Sequence, residues 1–415
     1  LNFEEELMTS VSSVADVVAR AKELQPDIVK LRRHLHQHPE LSFQEFETAK
    51  LAADQLDKLG YKVKKEIGKT GVIADMGKGP LVAIRADMDG LPIDEKSATA
   101  YTSKNPHVMH ACGHDAHVSC AIATANILTK QMDGIPGGIR MLMQPAEEAG
   151  DEEGISGAPR MIQDNAMDGV SAVIGLHMDG SLPAGKIGIA AGPVMAAVDI
   201  FHISIRGKGG HGAFPDTCID AVVIGAAVVQ AIQQIVSRKV APTDAAVITI
   251  GSFQSSSIRG NVISEEVTML GSFRTFDRHV RERIIEELDL CCSIAKALGG
   301  DYTITYEEGY PPTVNNSKVV EVMRQVAIEI IGAENVVTMK PKTWSEDFSY
   351  FANMVPGAFM FLGGKDKNSV VDPGFFPHHT PTFDIDESGL WIGSAILAST
   401  ATRLLTKLHN EGLAD

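Results

Sequence analysis

The sequence predicts an α/β protein: a three-layer αβα principal domain with a mainly parallel central sheet, into which an α+β satellite of βαββαβ order, an open-faced sandwich, is inserted. Three observations lead there. Short apolar runs alternate with helical stretches over the first half of the chain, the grammar of a parallel sheet. Near Val198 the order changes to strand, helix, two strands, helix, strand. After Pro311-Pro312 the first alternation resumes. With 415 residues the chain exceeds what one hydrophobic core usually serves, so two domains are expected. These changes place the principal domain at 1–195 and 312–415 and the satellite at 196–311.

Taken in order, Ser42-Phe43-Gln44-Glu45 has the spacing of a capping box opening a helix to about Leu59, with Gly60 as its stop. Strands are expected at Gly71 to Met76 and Leu81 to Ala86, followed by Asp87-Met88-Asp89-Gly90. A helix from about Asp115 to Lys130 leads to a strand Gly138 to Gln144, and a further helix precedes a strand Val170 to His177. The satellite reads as strand Val198 to Arg206, helix Asp216 to Ser237, strands Ala245 to Gly251 and Val262 to Phe276, helix Arg278 to Leu298 and strand Asp301 to Tyr306. A helix from Ser317, a strand Gly357 to Leu362, the run Phe376-Pro377-His378-His379-Thr380-Pro381 and an amphipathic helix from Asp386 close the chain. There is no internal repeat, low-complexity tract or long linker.

Composition narrows the function. A hydrophobic content of 44% with 22% charged residues belongs to a folded globular protein. The formal net charge of −16 repels a phosphate backbone, so neither nucleic acid nor an anionic membrane is an expected partner. No apolar stretch is expected to reach the roughly 18 residues of a membrane span, and the acidic start Leu1 to Glu6 is unlike a secretory signal. The chain reads as soluble and cytoplasmic; removal of a leader before Leu1 stays open. Five cysteines, odd in number and with Cys291 and Cys292 adjacent, make a poor disulfide framework. Cys112 differs from the rest in its neighbours.

Three stretches end apolar runs with metal-binding chemistry: His110 to His117, Gln144 to Glu148, and Gly175-Leu176-His177. In doubly wound sheets ligands sit beyond the carboxyl ends of strands, and Asp87, Asp89, Glu147, Glu148 and His177 all fall at such ends. Imidazole, thiolate and carboxylate converging there suit a divalent cation. Cys112 and His114 are the expected ligand pair, and His117, one turn on, is expected to pack beside or behind them. Glu147 and Glu148 offer the two roles of metal-assisted hydrolysis, one carboxylate to coordinate and one to take a proton from water. They directly follow a buried-looking strand, whereas Asp151-Glu152-Glu153 reads as a solvated acidic run. Asp87 and Asp89 are either a turn device or orienting groups behind the ligands. His34, His36 and His38 lie at a helix end, with no strand to carry them to the cleft. In the satellite, Gly207 to Gly212 sets His211 in a glycine-rich loop with the freedom to close on a substrate. Arg274, ending an apolar strand, suits either a carboxylate ligand or a surface ion pair.

As a set these residues resemble the M20 metallopeptidase family, in its amidohydrolase branch of aminoacylases, hippurate hydrolases and indole-acetyl-amino-acid hydrolases. The motifs that carry the resemblance run from Arg33-His34-Leu35-His36 through Arg85 to Asp89, the Cys112 cluster, Gln144 to Glu148, Gly207 to His211, Asn261-Val262-Ile263, Arg274-Thr275-Phe276 and Glu346-Asp347-Phe348 to His379-Thr380-Pro381. The resemblance implies that Cys112, His114, Glu148, His177 and His379 ligate one or two divalent ions, with Glu147 as general base and acid. It implies that Asn261 and Arg274 hold a substrate carboxylate, and that His211 completes the site from the partner subunit of a homodimer formed through the satellite. His379 is chosen over His378 because the branch pattern sets its histidine before Ser or Thr and then Pro. The peptidase and desuccinylase branch carries a His where this chain has Asp87, and a bridging Asp near Cys112; the departure favours the amidohydrolase branch. Cys112 draws toward Zn²⁺, the other donors suit Mn²⁺ or Co²⁺ as well, and the resemblance leans to Mn²⁺. The expected reaction is hydrolysis of an N-acyl amino acid, with a carboxypeptidase or dipeptidase as the alternative and a non-catalytic metal-binding scaffold as a more distant one.

Overall fold

A computed structural model describes residues 13–365 and 377–410; the acidic start and Phe376 lie outside them. Two compact units are drawn from the chain. One comes from Leu1–Gly192, Val314–Lys340 and Asp347–Asp415, the other from Pro193–Thr313 and Pro341–Glu346.

The first unit holds an eight-stranded mixed sheet in the order Lys62–Ile67, Gly71–Lys78, Gly137–Gln144, Leu81–Asp87, Val170–Pro183, Gly357–Lys365, Ile187–Gly188, Val336–Val337. Its centre is parallel: Leu81–Asp87 pairs with Gly137–Gln144 on one side and Val170–Pro183 on the other, and the latter pairs with Gly357–Lys365. Alternation along Leu81–Asp87 sorts the side chains by face. Val82, Ile84 and Ala86 enter a core shared with the long helices Val14–Gln37, His114–Thr129, Ser317–Ile331 and Leu390–Asn410. Arg85 and Asp87 point the other way, where Arg85 meets Asp347 beside the short helix Phe348–Ala352.

The second unit is a four-stranded antiparallel sheet in the order Ala246–Ser255, Glu266–Thr275, Ala197–Arg206, Asp301–Glu308. Ala197–Arg206 alternates between buried and more exposed residues, as in a sheet covered on one face. Phe201, Ile203, Val267 and Phe273 pack there against Ile224, Val228 and Ile232 of Ala221–Arg238 and Ile284 and Leu288 of Arg278–Cys292.

Several expectations are corrected. The helix after the supposed capping box is Phe46–Lys58, and its Glu45 cap makes no side-chain capping bond. Ser42 Oγ donates to Asp89 instead, and Glu45 accepts from Thr70 Oγ1 and Ala146 N–H, so both side chains are spent on tertiary contacts. The strand expected to stop at His177 runs to Pro183, because Met178 and Asp179 keep pairing with Leu362 and Gly363. Val262 to Phe276 is two strands, Val262–Ile263 pairing with Gly210–His211 and Glu266–Thr275 with the main sheet. Ala221–Arg238 is, by length and composition, apolar enough to cross a membrane, contrary to expectation; one side of it builds the second core. All five cysteines are free.

Candidate metal centre

The centre is assembled where the parallel strands of the first unit end. Gly113, at φ +102°, turns the chain into the helix His114–Thr129, and a Cβ there would lie 2.8 Å from Cβ of Met178. Only glycine lets the helix start approach the strand bearing His177 so closely. Ala146 and His379 also adopt left-handed backbone, at φ 47° and 59°. Non-glycine residues held there store strain of about 1–3 kcal/mol each, which surrounding bonds must hold. Ala146 N–H donates to Glu45 at 2.8 Å, and His379 N–H to the Ala111 carbonyl at 2.9 Å.

Cys112 Sγ lies 3.5 Å from His177 Nε2 and 3.4 Å from His379 Nε2, and His379 Nε2 lies 3.2 Å from Glu148 Oε1. His114 Nε2 stands 3.8 Å from the same Glu148 oxygen. The donor atoms form overlapping groups, Cys112 with His114 and His177, Cys112 with Glu148 and His379, and His114 with Glu147 and Glu148, each with all its atoms within 4.8 Å of one another. The structure thus brings Cys112, His114, Glu147, Glu148, His177 and His379 together. His378, the rejected neighbour, accepts a hydrogen bond from Gly180 N–H at 3.0 Å.

A divalent cation fits this set. Among the described residues His114 Nε2 and Glu148 Oε1 are buried without a well-aligned hydrogen bond, although Asp87 Oδ2 and His379 Nε2 respectively lie 3.2 Å away. A cation relieves that costly state. His114 donates from Nδ1 to the Asp89 carbonyl at 2.9 Å, leaving Nε2 as the donor atom for a metal. Burial favours the neutral ring, but Asp87, Asp89 and Glu148 outweigh it and push the His114 pKa up to about 10. The negative field that holds a proton there also attracts a cation. Burial, with Glu148, Glu147 and Asp87, pushes the Cys112 thiol well up. Burial drives His177 well down, toward the neutral ring that ligation requires.

Of the groups behind these donors, Asp87 and Asp89 were open in the sequence as orienting groups, whereas Arg85, Gln144 and Asp347 were legible only as parts of motifs. Asp89 accepts from Ser42 Oγ, Glu147 N–H and Glu148 N–H at 2.7, 3.1 and 3.0 Å and lies 3.2 Å from His114 Nδ1. Arg85, fully buried, spans Gln144, Asp87 and Asp347 at 2.7 to 2.9 Å. Asp347 also accepts from Gln144 Nε2 and Ser156 Oγ. Arg85 holds Asp87 well below the usual carboxylate range against the opposing effect of burial. His36 is no bystander either: buried, it bonds Asp115 at 2.7 Å and Glu95 at 3.2 Å.

The remaining candidates lie in the second unit. His211 is exposed on the short strand paired with Val262, and the next residue's N–H donates to the Asn261 carbonyl at 2.8 Å. The glycines around it allow close packing: a Cβ on Gly207 would sit 2.1 Å from the Ile219 carbonyl, and one on Gly210 2.4 Å from Cys218 Sγ. Arg274 is partly buried, which lowers its pKa, and its one hydrogen bond among the described residues runs to Ser345 Oγ at 3.3 Å.

Comparison with known proteins agrees with this chemistry. The profile of peptidase family M20/M25/M40 matches residues 83–403. The chain belongs to that family. This M20 protein is 37% identical over 396 residues to an N-acetyl-L-cysteine deacetylase of Bacillus subtilis, covering 94% of this chain and 91% of the relative. It is 36% identical over 399 residues to IAA-amino acid hydrolase ILR1-like 2 of Arabidopsis thaliana, covering 95% and 89%. Among solved structures, the Bacillus subtilis YXEP protein, described as a dinuclear metal binding peptidase from M20 family, superposes with a TM-score of 0.79 at 32% identity, covering 93% of this chain and 99% of that one. The M20 chain is accordingly a metal-binding hydrolase acting on amide bonds, in the amidohydrolase branch.

Proposed function

We propose that this M20 hydrolase cleaves N-acyl amino acids, releasing a carboxylic acid and a free amino acid. The observation that carries the reading is a second carboxylate, Glu147, set beside the donor cluster of Cys112, His114, Glu148, His177 and His379. When bound, the cation supplies Lewis acidity that polarises the amide carbonyl and acidifies water. Glu147 takes one proton from the attacking water as the oxygen bonds to the acyl carbon. As the carbon–nitrogen bond breaks, Glu147 returns that proton to the departing amine, which leaves neutral. The partner subunit's His211 stabilises the oxyanion between these steps. Arg274 and Asn261 are assigned the substrate carboxylate: the guanidinium has no carboxylate partner among the described residues, and its fork suits one.

Two overlapping donor groups share Cys112, which supports one or two ions per subunit. Mn²⁺ is our assignment; elemental analysis after purification without chelator tests it, and Zn²⁺ or Co²⁺ at full occupancy overturns it. A homodimer through the second unit is supported by exposed apolar residues on its helix and edge strand, Val223 at 62% and Phe253 at 40%. Sedimentation equilibrium reading only monomer at micromolar concentration overturns that assembly.

Glu147→Gln should keep the wild-type metal content and lose at least about a hundredfold in turnover of N-acetyl or N-benzoyl amino acids. Wild-type rates in that variant refute the role of Glu147. Faster cleavage of dipeptides than of N-acyl amino acids favours the carboxypeptidase or dipeptidase reading, and metal binding with no cleavage of either favours a scaffold.

A further inference from the structure

We propose that His117 is a positioning residue, which aims the metal-facing nitrogen of His177 by clamping the backbone of Met178, whose N–H one ring holds and whose carbonyl the other holds. This rests on His177 being a ligand. The hydrogen bonds run in one direction only. Met178 N–H donates to His117 Nε2 at 2.8 Å. Since a backbone N–H can only donate, His117 Nε2 holds the lone pair and its ring proton sits on Nδ1. That proton goes to Asp87 Oδ1 at 2.6 Å. Across the Met178 Cα, in the next peptide group, the Met178 carbonyl accepts from His177 Nδ1 at 2.7 Å. The His177 proton is thereby fixed on Nδ1, and the unprotonated Nε2 faces Cys112 Sγ at 3.5 Å.

The relay is anchored and dry. Asp87 is held through its other oxygen by Arg85 Nη1 at 2.9 Å, and Arg85 is held in turn by Asp347 and Gln144. His117, Asp87, Met178 and His177 are all buried, so water does not substitute freely for any link. Although His117 and Asp87 fall in a group with His114 close enough to hold an ion, both nitrogens of His117 are already committed. A histidine that only filled space would have no need of a peptide on one nitrogen and a carboxylate on the other. The ring orientation of a ligating imidazole is commonly set from behind in this way, by whatever binds its second nitrogen.

Isosteric amides separate the two bonds. Glutamine places its terminal oxygen near the Nε2 position and retains the Met178 contact, whereas asparagine reaches only as far as Nδ1 and retains the Asp87 contact. In the full-length protein loaded with Co²⁺, we expect His117→Gln to stay within about threefold of wild-type affinity with a similar visible spectrum. His117→Asn should weaken Co²⁺ about tenfold or more and alter the spectrum. Thermal unfolding without metal checks that both variants fold. Equal losses in the two variants, or none in either, overturn the relay, and so does a loss in His117→Asn that merely follows its fall in metal-free thermal stability, as the cavity left by the shorter side chain would produce. His177→Ala, run alongside, tests the underlying reading: wild-type Co²⁺ affinity there overturns the ligand assignment, and the relay with it.

Discussion

At the scale of single residues, Asp89 concentrates the most consequence in the fewest atoms. Its carboxylate accepts from Ser42 and from the two successive amides of Glu147 and Glu148, and it backs His114. One group thus backs His114, a proposed ligand, and holds the turn that presents Glu147 and Glu148. Asparagine offers only one acceptor oxygen, so Asp89→Asn leaves at least one buried N–H facing an amide nitrogen, costing roughly 1–3 kcal/mol. We expect a matching fall in unfolding free energy by urea titration and a ten- to hundredfold loss in metal affinity. Unchanged values for both would remove Asp89 from the site. The sequence made an orienting role for Asp89 one of two open readings, since an acidic residue after a strand also serves turns. Its partners were out of reach because they lie 25 to 59 positions away. The partners of His36 were out of reach for a related reason: a helix end by itself does not show that Glu95 and Asp115 will be folded over it.

At the scale of elements, central strands were legible and exposed edges were not. Leu81–Asp87 is buried along its whole length, so its apolar run announces itself. Lys62–Ile67 is an edge strand, exposed or half-exposed throughout, and its lysines carry no period-two hydrophobic signal. The break at Ser293 was invisible because the buried positions Ile284, Leu288, Cys292 and Ala295 keep helical spacing across it. Helix His114–Thr129 was read to within a residue at each end, yet the close approach at its start was not foreseen. Gly113→Ala combines an unfavourable left-handed backbone, about 1–2 kcal/mol, with a Cβ only 2.8 Å from that of Met178. Because Met178 contacts His117 and His177, the variant should lower the melting temperature and weaken metal binding together. A lowered melting temperature with intact metal affinity would show that the strand yields without moving the ligands.

At the scale of the molecule, the first unit is discontinuous in sequence, and a buried charge network helps to join its pieces. Arg32, fully buried, pairs with Asp115 at 2.9 Å, Asp384 at 3.1 Å and Glu387 at 3.2 Å, so one guanidinium ties the first long helix, the helix bearing His114 and the segment before the closing helix. His36 joins the same network through Asp115. Burial lowers the pKa of His36, but Asp115 and Glu95 outweigh it and raise the value from 6.5 to about 9. The folded state therefore favours the protonated ring. Its stabilisation is complete below about pH 6.5, the value for an unfolded histidine, and is lost as pH rises through about 9. The difference corresponds to roughly 3 kcal/mol, as one pKa unit is worth about 1.4 kcal/mol. Wild-type unfolding free energy should fall by an amount of that order between pH 6 and 9.5, beyond whatever decline His36→Gln shows over the same range. The comparison cancels contributions from other titrating groups, provided the variant leaves their surroundings intact. Two curves that stay parallel across this window would mean that His36 titrates alike in the folded and unfolded chain, so that Asp115 and Glu95 do not favour its charged form and Arg32 alone supplies the charge that joins the acidic groups of the unit.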